Sequence, residues 1–259
     1  MEPLSIAVLL LLAAGAAYIQ TITGFAFGLL MMGGIGMLAL LPLPDAAVLV
    51  SMLTFVNAAQ VFLRGWQNIA WREFRLAISP GLILLALGYF TLEQLSRTNL
   101  DDVRFLLGMV IVAASIQLIL EPHPLPRRSS AASFVIAGGV GGFLGGMFST
   151  SGPPLIYHFY RQPLAQVAIR DTLVLIFGVN AVIRLALVGS TGTFPSDTIW
   201  WALIAAPVVT AATFAAKRWP PPLQQATVRR VAFSLLLLSG IALALPPILK
   251  VIVTIWLTA

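Results

Sequence analysis

Two short polar stretches interrupt an otherwise apolar sequence, and their residue types suit the binding of a small anion. One of them, FSTSGPPL at residues 148–155, places three hydroxyls and a glycine before two prolines. Proline suits the first turn of a helix, where free N–H groups carry partial positive charge. Pro153 and Pro154 lack an N–H, so we expect the binding groups to be neighbouring amides and hydroxyls. The candidate residues are Ser149, Thr150, Ser151 and Gly152.

A second polar stretch, near the N-terminus, is a candidate for the opposite face of the same site. It also lies in a glycine-rich apolar region near the start of its half of the chain. Its candidate residues are Gln20, Thr21, Thr23 and Gly24. The alternative explanation for both stretches is a kinked helix that serves packing only.

One long apolar run in each half carries an asparagine near its middle, Asn57 in the first half and Asn180 in the second. Arg170, Asn180 and Arg184 fall on one helical stripe, because residues three, four and seven apart share a face. An arginine that faces lipid at mid-span costs at least about 3 kcal/mol, so Arg184 should face the protein interior or reach a membrane boundary. Arg170 is a candidate site residue, a topology signal or a partner of the adjacent Asp171.

The elements that carry these residues are expected to be membrane helices. Of the 259 residues, 59% are hydrophobic and 9% are charged, whereas soluble domains have roughly 25% charged residues. So many apolar residues need lipid as their solvent, and roughly 20 helical residues cross one bilayer. Strand-like alternation is not sustained anywhere, which favours an all-α polytopic membrane protein. The apolar runs cover residues 4–22, 24–41, 46–63, 76–93, 103–120, 133–148, 153–161, 172–189, 198–216 and 229–246.

Composition excludes several functional classes. The chain has no cysteine and two histidines, so thiolate metal sites are impossible, and we expect no metal, no cofactor and no catalytic residue. The net charge of +6 is explained by short basic loops, so we expect no nucleic acid as a partner. A membrane-embedded enzyme would need a His, Cys or acidic cluster at membrane depth, which the sequence does not provide. The N-terminal run lacks a basic start and is interpreted as a retained segment.

The polar segment between the two halves predicts a repeated architecture. Residues 1–120 and 133–259 form the predicted repeats, and residues 121–132 form a cytoplasmic linker. Each repeat starts with a broken or re-entrant helical hairpin and continues with about three transmembrane helices. An odd number of crossings per repeat makes the two repeats inverted, as in many secondary transporters, and both termini periplasmic. The positive-inside rule assigns four basic loops to the cytoplasm, at residues 64–75, 121–132, 161–170 and 217–230.

At these residues the sequence resembles the TauE/SafE sulfite-exporter family of membrane permeases. The resemblance is carried by YIQTITGFAFG at residues 18–28, GGMFSTSGPPL at 145–155 and IRDT at 169–172, and it extends over nearly the whole chain. Many members have alanine where this chain has Asp171, which places an acid beside the expected anion site. The resemblance implies a bacterial inner-membrane permease that exports sulfite, organosulfonates or related small sulfur-containing anions.

Two alternatives to sulfur-anion export stay open at this point. One is uptake of another small organic anion, and the other is a non-transporting membrane assembly protein, which would leave the paired polar stretches unexplained. The expected partners are a small anion and the lipid bilayer, and the sequence leaves open whether the chain forms a homodimer. Carboxylates in the apolar runs lie near the ends of those runs. Anion efflux can proceed without them, because a cytoplasm-negative potential favours exit by about 2.3 kcal/mol per charge per 100 mV.

Overall fold

The computed structural model describes residues 3–119, 124–192, 194–219, 233–234 and 236–249. Within these residues the chain is helical and contains no strand, which confirms the predicted all-α class. The helices are α1 (Pro3–Thr23), α2 (Phe27–Met37), α3 (Leu43–Gly65), α4 (Trp71–Thr98), α5 (Leu100–Ile119), α6 (Ala131–Phe148), α7 (Gly152–Tyr160), α8 (Gln166–Thr191), α9 (Ser196–Arg218) and α10 (Leu236–Leu249).

Length and apolar composition together identify the helices that can cross a membrane. In the described part of the chain, six helices are long and apolar enough to cross, namely α1, α3, α4, α6, α8 and α9. Helices α2 and α7 have 11 and 9 residues. At about 1.5 Å of rise per residue they are about 17 and 14 Å long, whereas the hydrocarbon core is about 30 Å thick. Each of these short helices is therefore long enough to cross only about half of the hydrocarbon core.

Several helix boundaries differ from the apolar runs. Helices α4 and α8 begin at Trp71 and Gln166, before the predicted starts at 76 and 172. Their first two turns contain charged residues, which end the apolar run but do not end the helix. Helix α2 is shorter than the run predicted at 24–41, because the backbone leaves helical geometry before Phe27 and after Met37.

The hairpin of α6 and α7 returns to the end of the bundle where it started. The backbone N–H of Ser129, before α6, donates to the Gln162 side chain, after α7, at 2.9 Å. In the same linker, the Arg128 guanidinium pairs with the buried Glu73 carboxylate of α4 at 3.1 Å. The linker, the α3–α4 region and the α7–α8 loop therefore lie at one end of the molecule. Three of the four basic loops meet there.

Helices α4 and α6 make the most extensive helix–helix contact among the described residues. The contact face of α6 consists of glycines four residues apart, Gly138, Gly142 and Gly146. A Cβ atom at any of these glycines would collide with the α4 backbone, at Ala77, Gly81 and Leu85. Because small residues let two backbones approach closely in a membrane, these glycines fix α6 against α4.

We predict that Gly142→Ala lowers the melting temperature of the purified protein. The added methyl would meet the Gly81 carbonyl oxygen, and overpacking of this kind costs about 1–3 kcal/mol. The matched control is Gly15→Ala in α1, where a Cβ has no neighbouring heavy atom within 4 Å. Equal melting temperatures for the two variants would contradict the close contact of α4 and α6.

Candidate functional site

Two breaks in the helices bring polar groups into the centre of the bundle. The first break, residues 24–26, separates α1 from α2, and the second break, residues 149–151, separates α6 from α7. Of the five positive-φ residues in the described structure, three lie in these breaks: Gly24 at 80°, Ala26 at 90° and Ser149 at 54°. For residues other than glycine, such a backbone costs on the order of 1–3 kcal/mol and persists only where the surrounding structure holds it.

The two breaks meet each other across a small cavity. A Cβ on Gly28, just after the first break, would lie 2.8 Å from the Ser149 carbonyl oxygen and 3.0 Å from the Thr150 Cβ. The central cavity at this junction has a volume of about 10 Å³, which is room for a single water. Gly152 begins α7 directly after the second break. The central cavity is lined by Gln20, Ala26, Gly28, Thr54, Ser149, Thr150, Ser151, Ile156 and Phe177.

A closed hydrogen-bond network holds the first break. The Gln20 amide accepts from the backbone N–H of Phe27 at 3.1 Å and donates to Asn57 Oδ1 at 2.7 Å. Asn57 Nδ2 in turn donates to Thr213 Oγ1 at 2.8 Å and to Thr21 Oγ1 at 3.4 Å. Phe27 is the first residue of α2, so its N–H has no partner within the helix. Gln20 therefore caps α2, and both amide hydrogens of Asn57 are occupied in holding that cap.

The two threonines of the first polar stretch direct their hydroxyls at the backbone. Thr21 donates to the Ala17 carbonyl at 2.7 Å. Thr23 contacts the carbonyl oxygens of Ile19 at 2.8 Å and Phe25 at 2.9 Å. Threonines within helices often donate to the carbonyl four residues earlier. In this conformation Thr21 and Thr23 stabilise the end of α1, which differs from the expectation that their protons are available to an anion.

The second break has polar atoms that are not used. Asn180 Nδ2 donates to Ser151 Oγ at 2.8 Å, while Asn180 Oδ1 and Thr54 Oγ1 are buried without a partner among the described residues. Since a hydroxyl both donates and accepts, Ser151 keeps its own proton available. A Cβ on Gly145 would lie 3.3 Å from Ser151 Oγ and 3.5 Å from Asn180 Nδ2. A glycine at this position thus gives both side chains the space they need.

The orientation of the Asn180 amide decides whether its unpaired group accepts or donates a hydrogen bond. Turning the amide over would let Asn180 Oδ1 accept from Ser151 and would leave the amide NH2 group unpaired instead. Leaving a buried polar group unpaired costs about 1–3 kcal/mol. The second break therefore has hydrogen-bonding capacity that a ligand can satisfy.

Three polar residues of this centre were not predicted from the sequence. Ser51 contacts Ser149 Oγ at 2.7 Å, Thr54 lines the central cavity, and Thr213 binds Asn57. Ser51, Thr54 and Asn57 are three residues apart, so they follow one face of the otherwise apolar α3. That three-residue spacing could have identified the polar face of α3 from the sequence. Thr213 had no comparable signal, since its role depends on how α9 packs against α3.

Arg170 lies beside the first break, but its charge is already paired. A Cβ on Gly24 would lie 2.6 Å from Arg170 Cγ. Arg170 Nε donates to Asp171 Oδ1 at 2.9 Å, and Asp171 Oδ2 accepts from Asn68 at 2.9 Å. The Arg170 side chain is 36% exposed and that of Asp171 is 3% exposed. Asp171 thus neutralises Arg170 and fastens the α3–α4 segment to the start of α8.

Arg184 is buried within the protein, as the sequence predicts. Its relative exposure is 1%, its Nε donates to the Gly146 carbonyl at 2.9 Å, and its guanidinium carbon lies 5.6 Å from the centre of the Tyr89 ring. It lines a cavity of about 220 Å³, which we call the Arg184 cavity. The other residues that line it are Pro44, Asp45, Val48, Tyr89, Leu92, Glu93, Ser96, Arg97, Val188 and Pro195.

A second, larger cavity lies between α3 and α9, where both helices approach their C-terminal ends. It has a volume of about 540 Å³, and we call it the Lys217 cavity. One of its residues is Thr213, which binds Asn57 in the network of the first break. The residues that line it are Gln60, Leu63, Pro207, Thr210, Ala211, Thr213, Phe214 and Lys217.

Comparison with known proteins agrees with this architecture. The family described as sulfite exporter TauE/SafE matches residues 9–243. A protein of Cupriavidus necator named "Probable sulfite/organosulfonate exporter TauE" is 41% identical over 238 residues, which cover 92% of this chain and 93% of that protein. The match includes both helix breaks and the helices that surround them. The chain therefore belongs to the sulfite exporter TauE/SafE family, a family of membrane transporters and not of enzymes.

Proposed function

We propose that this protein is a bacterial inner-membrane permease that exports sulfite, an organosulfonate or a related small sulfur-containing anion. Family membership and the printed name of the Cupriavidus necator relative support both the transport and the substrate class. The observation that carries the site is the junction of two helix breaks around the Ser151 hydroxyl and the Thr54 hydroxyl, the latter buried without a hydrogen-bond partner among the described residues. At that junction an oxyanion would find hydrogen-bond donors in place of water.

The central cavity offers neutral groups to the anion. Thr54 and Ser151 supply hydroxyl donors, and the cavity lining contains no charged side chain among the described residues. An anion held by neutral donors is easier to release than one held in a buried ion pair. Conduction across a membrane needs this balance, since a site must bind well enough for entry and weakly enough for exit.

The structure represents a closed state of this site. The central cavity has room for one water at about 10 Å³, whereas sulfite has four heavy atoms. The breaks must separate to admit it, and the short helices α2 and α7 begin at the site. The Lys217 cavity approaches the site from the side of Thr213, and we propose it as the cytoplasmic approach.

Contacts between helices support the proposal of two inverted repeats. If α1 to α5 are paired in order with α6 to α10, then the contact of α4 with α6 corresponds to the contact of α9 with α1. Under the same pairing α3 is equivalent to α8, so the contact between these two helices is its own counterpart. These are the three most extensive contacts among the described helices. In each predicted repeat a long helix is followed by a break and a short helix.

We predict that single cysteines will report the proposed orientation. Ser130→Cys, in the exposed linker, should be labelled by an impermeant maleimide only after the membrane is opened, and Asn99→Cys, between α4 and α5, should be labelled in intact cells. The chain contains no native cysteine to interfere. Labelling of Ser130→Cys from outside would overturn the assignment of periplasmic termini.

Removing hydroxyls from the central cavity should reduce binding without unfolding the protein. Thr54→Val and Ser151→Ala should each weaken sulfite affinity about five- to hundredfold in calorimetry, the equivalent of about 1–3 kcal/mol. Thr54→Val should keep or raise the melting temperature, because the Thr54 hydroxyl has no partner to lose.

The control for these variants is Ser115→Ala, which removes a buried hydroxyl that binds the Ile111 carbonyl at 2.8 Å in α5. Its affinity for sulfite should equal that of the wild type. If Thr54→Val and Ser151→Ala also bind sulfite at full strength, the breaks serve packing only.

Arg170→Gln should slow anion transport in proteoliposomes far more than it lowers the yield of folded protein. Arg170 lies against Gly24, and an anion that reaches the first break would compete with Asp171 for its guanidinium. Arg75→Gln is the matched control, because Arg75 belongs to the same basic end, is exposed and, among the described residues, binds only the Trp71 carbonyl. If the Arg170→Gln variant transports the anion at the wild-type rate, Arg170 serves only to orient its loop in the membrane.

A further inference from the structure

The Arg184 cavity contains two buried polar atoms that have no hydrogen-bond partner among the described residues. They are Arg184 Nη1 and Ser96 Oγ, and both residues line the cavity. Both groups can donate a hydrogen bond. Arg184 comes from α8 and Ser96 from α4, so two separate helices present unused donors to one space. The central cavity includes neither residue.

The charge of Arg184 also lacks a counter-ion. None of the salt bridges between described residues involves Arg184, and its side chain is 1% exposed. The Gly146 carbonyl and the Tyr89 ring stabilise the guanidinium only partly. A buried charge without a partner is costly, so binding of an anion here would be favoured by relief of that cost.

We infer that the Arg184 cavity is a second ligand site, separate from the central cavity, and that it takes a singly charged sulfonate with a short carbon chain. Arg184 and Ser96 would bind the sulfonate oxygens. The cavity has about 220 Å³, many times the roughly 10–15 Å³ that one water needs. Val48, Leu92 and Val188 also line it and would contact the carbon chain.

The preference for a single charge follows from the other ionisable residues of the cavity. Asp45 and Glu93 are negative, and Arg97 and Arg184 are positive, so their formal charges cancel. Glu93 and Arg97 pair with each other at 2.7 Å, which leaves Asp45 to repel a bound anion. With Asp45 included, a doubly charged anion would give the cavity a net charge of −2, whereas a sulfonate gives −1.

The position of this site along α8 connects it with the central cavity. Asn180 and Arg184 are four residues apart, so they lie on the same helical face one turn from each other. Asn180 binds Ser151 in the second break, and Arg184 lies one turn further along α8. That the Arg184 cavity is a binding site along the export route rests on the proposed function. Binding of a ligand to this cavity is measured independently of transport.

The test uses calorimetry on the full-length protein in detergent, in a Ser151→Ala background that weakens the central site. Ethanesulfonate should bind this background at one site, and at least about tenfold more tightly than sulfate, which is doubly charged. Adding Ser96→Ala should weaken ethanesulfonate about tenfold while the melting temperature stays constant, because Ser96 Oγ has no hydrogen bond to lose. Adding Arg184→Gln should abolish binding.

Ser96→Ala keeps the test decisive even if Arg184→Gln does not fold. Unchanged ethanesulfonate affinity in Ser96→Ala would overturn the proposed site, and equal affinities for ethanesulfonate and sulfate would overturn its charge preference. Failure of the proposed function has a different signature. Proteoliposomes would then transport no sulfur anion, while ethanesulfonate would still bind in a manner that depends on Ser96.

Discussion

Polar groups at the centre of a membrane protein have no bulk water to bind, and this constraint governs the arrangement of both helix breaks. Each interruption of a helix frees backbone groups that must find partners inside the protein. At the first break, Gln20 caps α2 and Asn57 completes the network. Beside the second break, Asn180 and Thr54 each retain a side-chain atom without a partner among the described residues. The hydroxyl protons of Thr54 and Ser151 identify where a ligand with many acceptor oxygens gains most.

The rest of the bundle supplies a rigid frame around this centre. The glycines of α6 hold it against α4 with direct backbone contact, and tightly packed interfaces of this kind resist continuous deformation. Helices α2 and α7 are short, and their first residues adjoin the breaks. Separation of the breaks is therefore more easily achieved by movement of α2 and α7 than by movement of α4 or α6. Arg170 is paired with Asp171, whereas Arg184 is buried and has no counter-ion within the described part of the chain.

Much of this arrangement was predictable because it follows from single-helix patterns. Apolar run lengths predicted the helical class, and the paired polar stretches around Gly24 and Ser151 predicted that two breaks would meet. The roles of Thr21 and Thr23 were not predictable, because a threonine hydroxyl can bind either a ligand or its own helix, and only the backbone geometry decides. Thr213 and the Arg184 cavity depend on contacts between helices that are distant in sequence. The spacing of Ser51, Thr54 and Asn57 was visible in the sequence and would have revealed the polar face of α3.

The central claim is that the two breaks together bind the transported anion. The most direct test is a crystal structure of the protein grown with selenite, a heavier analogue of sulfite whose selenium is located by anomalous scattering. The account predicts a selenium peak between the two breaks, in contact with Ser151 and Asn180, in a conformation whose central cavity is larger than the present one. Selenium bound only in the Arg184 cavity, or only at the basic loops, would contradict the account.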